Sequence, residues 1–72
     1  MENHTLQLHI MIKLNTEKVE RERLRLSIPK AQLARLMGIS RQLLNHTIKH
    51  KQLFHVDKFA KVFDMDAKDL IK

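Results

Sequence analysis

The 72-residue chain contains no cysteine, one glycine and one proline. Without cysteine there is neither a disulfide framework nor a thiolate metal site. No stretch approaches the roughly 18 consecutive apolar residues of a membrane span. The amino terminus also lacks the basic start and continuous apolar block of a signal peptide. A soluble, cytoplasmic protein is expected. The length allows one small domain, with no room for a large catalytic cleft and a core that is marginal unless it is helical and tightly packed or shared with a second chain. No repeat, low-complexity tract or interdomain linker is visible.

The most informative absence is local. Residues 23 to 56 contain no acid at all but hold Arg23, Arg25, Lys30, Arg35, Arg41, Lys49 and Lys51. Residues 1 to 22 carry three cations against four acids, and residues 57 to 72 carry four of each, so the whole net charge of +6 arises in the middle segment. A positive field confined to one segment attracts polyanions and speeds encounter with them. A merely solvated surface would also be basic, so charge alone leaves both readings open.

In "TLQLHIMIKLN", Leu6, Leu8, Ile10, Ile12 and Leu14 occupy every second position, which is the period of a strand. Nothing later reads as a second strand. A lone strand escapes its unpaired backbone groups by pairing with the same strand of another molecule, so a homodimer joined through these five residues is expected. An ordered arm or an extra helical turn is the alternative.

Short helices follow. Asn15 or Thr16 caps the first, which has Glu17 and Glu20 near its start, Val19, Arg23 and Leu26 on one face, and an end near residues 27 to 29. Pro29 opens the second helix, in which Ala31, Leu33, Ala34 and Met37 follow. Gly38 ends it, and Ser40 caps a third that runs through Leu43, Leu44, Thr47 and Ile48 to about Lys49. After a loop over residues 50 to 55, a fourth helix turns Val56, Phe59, Ala60 and Phe63 inward. Asp66 and Asp69 start a short fifth that buries Leu70 and Ile71. The expected fold is therefore all-α: a compact bundle of about five short helices over residues 16–72, preceded by an arm over residues 1–15.

The stretch "QLARLMGISRQLLN" places two helices around a tight glycine turn within the acid-free segment. That is the arrangement of a helix-turn-helix, whose second helix projects into the DNA major groove. Arg41, Gln42, Asn45 and His46 fall on the exposed side of that helix, where Arg suits guanine and Gln or Asn suit adenine. Lys30, Arg35, Lys49 and Lys51, with the Ser40 hydroxyl, are placed for phosphates. Double-stranded DNA is the expected partner. A regulatory protein partner is a further expectation.

Over residues 16 to 71, through "IPKAQLARLMGISRQLLNHTIKH" and "VDKFAKVFDMDAKDLIK", the chain resembles the Cro and C1-type repressor domains of phage and bacterial regulators. The order Leu33-Ala34, Gly38, Ile39-Ser40, Leu44, Phe59-Ala60, Phe63, Asp66, Leu70 carries the resemblance as a set. It implies the same five-helix fold and operator binding. It also implies a bulky apolar residue where this chain has Thr47, an acid where it has Ile48, and a glycine where it has His50. That acid would pair with the arginine of the first helix, which matches Arg23, so Arg23 is left in need of another partner.

Other chemistries are poorly supplied. His46 and His50 stand one turn apart, the spacing of a helical metal pair, with His55 close in sequence, but no cysteine or neighbouring acid offers a further ligand. Hydrogen bonding to DNA, or pH-dependent charge, suits them better. Ser27 and Ser40 sit at helix boundaries without a nearby buried base, and the carboxylates lie in the peripheral segments. No enzyme, metal or cofactor is indicated. The competing function is a protein-interaction module of antitoxin or anti-repressor type, in which the alternating arm wraps a partner and DNA contact is secondary or absent.

Overall fold

A computed structural model of the chain describes residues 12–72. It is all-helical, with four α-helices, α1 (Thr16–Arg25), α2 (Lys30–Met37), α3 (Arg41–Lys49) and α4 (Val56–Phe63), and a closing 3-10 helix, Ala67–Leu70. Of the alternating residues, Leu6, Leu8 and Ile10 lie outside the described residues.

The starts of α1, α2 and α3 have local causes. Asn15 caps α1, its side-chain oxygen accepting the Lys18 N–H at 3.2 Å, and Ser40 caps α3 in the same way, accepting from Leu43 N–H at 3.0 Å. Pro29, with φ −64°, stands immediately before α2, where its missing N–H costs nothing.

The helix ends share one construction. A residue in the left-handed region closes each α-helix: Ser27 (φ 56°), Gly38 (φ 72°), Lys51 (φ 52°) and Asp64 (φ 56°). The next N–H then reaches back to a carbonyl in the last turn, at 3.0 Å in all four cases: Ile28 to Arg23, Ile39 to Ala34, Gln52 to Thr47 and Met65 to Ala60. This bond satisfies a carbonyl that would otherwise be orphaned. At three of the four ends the returning residue is also apolar, and Ile28, Ile39 and Met65 pack on the core. His50, where the resemblance implies glycine, keeps φ −98°. The left-handed step is taken one residue later, by Lys51.

Leu14, Val19, Leu33, Ala34, Met37, Leu44, Phe59, Ala60, Phe63 and Leu70 form the core. Phe59 and Phe63 stack with ring centroids 6.2 Å apart, within the range of favourable aromatic pairs. Thr47 is fully buried, and Ile48 packs partly against the core, so α3 keeps Thr47 inward rather than exchanging it for Ile48.

Two expectations need correction. Ile71 is 38% exposed rather than buried, because the chain has left the 3-10 helix and extends. It forms an antiparallel bridge with Leu14, flanked by Lys13 N–H to Lys72 carbonyl (3.3 Å), Lys72 N–H to Lys13 carbonyl (2.8 Å) and Asn15 N–H to Leu70 carbonyl (2.8 Å). The segment around Leu14 thus finds its backbone partner within its own chain, at the carboxyl end. Leu14 itself, 1% exposed, fills its own core, while Ile12 faces outward at 46%.

Arg23 has its own solution. Its Nε and Nη2 donate to both carboxylate oxygens of Glu20, at 3.1 and 2.8 Å, and its Nη1 donates to the Ile28 carbonyl at 2.9 Å. The guanidinium thus ties the turn after α1 back to the helix. The pairing holds the Glu20 carboxyl below the usual carboxylate range and raises Arg23.

Candidate nucleic-acid interface

Helix α2, the left-handed Gly38 and α3 form one corner. Gly38 is there for its backbone: an added Cβ would meet nothing within 4 Å, but φ 72° strains any other residue. Ala34, 2% exposed, and Met37, 5% exposed, bury the inner side of α2, with Leu44 and Thr47 inward on α3. Ile39 in the turn packs on the core.

This fixes which residues of α3 point away. With Leu44 and Thr47 buried and Ile48 half-buried, the helical period leaves Arg41, Gln42, Asn45, His46 and Lys49 together on the opposite face, and all five are exposed. The first turn of α3 also directs backbone N–H groups and the positive end of its dipole outward. The Ser40 oxygen already accepts its cap bond, which leaves the hydroxyl hydrogen free to donate.

Charge pairing sorts the cations of the acid-free segment. The ion pairs among the described residues are Arg23–Glu20, Arg25–Glu22 and Lys72–Glu17. Arg23 and Arg25 are therefore neutralised within α1. Lys30, Arg35, Arg41, Lys49 and Lys51 have no carboxylate within 4 Å among the described residues. They are not equally placed. Lys30 is half-buried and close enough to Glu20 to help lower its carboxyl. Lys51 contributes in the same way at Glu17, behind the stronger effect of Lys72, and its carbonyl accepts the Leu14 N–H at 3.0 Å. Lys51 thus stands where the two chain ends meet, at the margin of the α3 face.

Sequence reasoning missed Gln52. Its side-chain nitrogen lies 3.4 Å from Nε2 of His46, whose ring stands 4.3 Å, centroid to centroid, from that of His50. A contact in which Gln52 donates requires the His46 proton on Nδ1. No group of three or more potential metal ligands is assembled among the described residues. None of the helices is long and apolar enough to cross a membrane. Comparison with protein-family models, curated proteins and solved structures finds no significant match for the chain.

Proposed function

We propose that this chain is a sequence-specific DNA-binding transcriptional regulator of the phage or bacterial repressor type, acting in the cytoplasm by occupying an operator and excluding polymerase. The observation that carries the reading is the outer face of α3. Arg41, Gln42, Asn45 and His46 are all exposed there, on the helix that follows the Gly38 corner, with cations in the same segment that have no carboxylate within 4 Å among the described residues.

In this mechanism the first turn of α3 enters the major groove. Arg41 donates two hydrogen bonds to a guanine edge; Gln42 and Asn45 pair with adenine; His46 reads the edge through the ring nitrogen that Gln52 does not engage. Lys30, Arg35, Lys49 and Lys51, with the Ser40 hydroxyl and the α3 N–H groups, hold phosphates and set the register. So few base contacts discriminate weakly, and two copies on a twofold-related site multiply the selectivity. Residues Leu6, Leu8, Ile10 and Ile12 would join them.

The test is selection of bound sequences from a random duplex pool at near-physiological salt, where purely electrostatic binding is weakened. An enriched inverted repeat with half-sites about one helical turn apart is expected. Recovery of no preferred sequence would overturn the proposal.

A further inference from the structure

A groove of about 430 Å³ lies between the last turn of α2 and the outer side of α4, lined by Leu36, Met37, Lys58, Lys61 and Val62. None of these residues belongs to α3 or to the face described above. Met37 and Val62 connect the groove floor to the core, while Leu36, a large aliphatic side chain, is 54% exposed. Lys58 and Lys61, one turn apart on α4, stand at its rim. Neither has a carboxylate within 4 Å among the described residues.

We propose that this groove docks an acidic, amphipathic segment of a protein partner. Apolar side chains of that segment would cover Leu36, Met37 and Val62, and its carboxylates would meet Lys58 and Lys61. The volume sits toward the small end of the range for binding clefts, ~300–1,000 Å³, enough for one or two anchoring side chains. Charge complementarity decides the kind of occupant. Two unpaired ammonium groups beside an apolar floor reward a ligand that brings both carboxylates and hydrocarbon, and penalise a cationic one. A nucleic-acid backbone fits poorly, because its phosphates would be desolvated against Leu36 and Val62 without enough donors to replace water. A second copy in a twofold contact would bring four lysines together. The site does not depend on DNA binding, so the two proposals stand or fall separately.

The experiment titrates the full chain, labelled with nitrogen-15, with a synthetic helical peptide bearing Leu and Phe on one face and Glu on its flanks, and with a twin in which Gln replaces every Glu. Amide shifts confined to residues 35–38 and 58–62 are expected, with the Gln twin binding about tenfold more weakly. Leu36→Ser and the double variant Lys58→Glu, Lys61→Glu should each lose about tenfold in affinity while keeping a dispersed spectrum, Leu36 being exposed and both lysines outward. Shifts that map onto α3, equal binding of the Gln twin, or full affinity in the charge-reversed variant would overturn the proposal. So would the absence of saturable binding. Concentration-dependent shifts at these residues without peptide would assign the groove to a second copy and overturn it equally.

Discussion

The Gln52 N–H donates to the Thr47 carbonyl at 3.0 Å, reaching back across Lys51, which sits at φ 52°. This bond ends α3 and turns Gln52 toward His46. The same construction closes the other three α-helices, yet only one of the four left-handed residues is glycine. An L-residue in that region costs roughly 1–2 kcal/mol, while glycine instead gives up ~0.5–1 kcal/mol in unfolded-state freedom. Asp64→Gly, remote from the α3 face, should therefore stabilise the fold by about 0.5 kcal/mol. Gly38→Ala, with the same two opposing effects, should destabilise it by about 0.5–1 kcal/mol through the backbone alone. Urea denaturation of the two variants checks both signs; a neutral Gly38→Ala would show that the corner tolerates an L-residue.

Thr47 is wholly buried and its hydroxyl has no hydrogen-bond partner among the described residues. The side chain pays for desolvation without recovering a bond. Thr47→Val keeps the β-branched shape and removes the stranded hydroxyl, so it should raise stability by about 1 kcal/mol. The readout is the shift in denaturation midpoint at constant slope. Loss of stability would mean that water or a backbone carbonyl serves the hydroxyl in solution.

Glu20 is held below the usual carboxylate range by its hydrogen bonds to Arg23, and Glu17 is lowered by Lys72. A carboxylate whose folded pKa is depressed contributes stability above its unfolded value, roughly 4.3 for glutamate. That contribution is lost as the pH falls through the folded value. The Glu20 carboxylate is partly exposed, so solvent screening limits Glu20→Gln to a loss of about 1 kcal/mol at neutral pH. Thermal denaturation followed from pH 7 down to 3 should show the gap between the wild type and Glu20→Gln closing in acid. A gap that stays constant would place the effect of the substitution in packing rather than in charge.

The starts of α1, α2 and α3 were legible because Asn15, Pro29 and Ser40 act on their own next few residues. The end of α3 at Lys49 was legible too, but how the helices close was not, apart from Gly38, because Ser27 and Lys51 carry no mark of the left-handed conformation they adopt and Asp64 only tolerates it. The same limit hid Gln52, which reaches His46 only through the turn at Lys51. Helical period sufficed to place Arg41, Gln42, Asn45 and His46 outward, since burial of Leu44 and Thr47 fixes the opposite face. The pairing of Leu14 with Ile71 joins opposite ends of the domain, and alternation in one segment does not say which backbone will receive it. The resemblance leaves Arg23 in need of a partner because the acid it implies would stand on α3, where this chain has Ile48. Glu20, one turn earlier on the same helix, was the nearer choice.

Arg41 and Lys30 should fail in different ways if α3 enters the major groove. Arg41 stands in the first turn of α3 with a free guanidinium, so Arg41→Ala should cost about 1–3 kcal/mol on the preferred operator and relax selectivity at a single base position. Lys30, at the start of α2, would hold a phosphate. Lys30→Ala should weaken binding by a similar factor on every sequence and reduce the slope of log affinity against log salt by about one. Both variants are to be measured on the selected operator, on single-base variants of it and on unrelated duplex, across a salt series. If Arg41→Ala lowers affinity equally on all duplexes, Arg41 is a phosphate contact and base reading must lie further along α3, at Asn45 and His46. If Lys30→Ala alters preference among bases, the docking of α2 is wrong, because a side chain at the start of α2 would then have to reach into the groove.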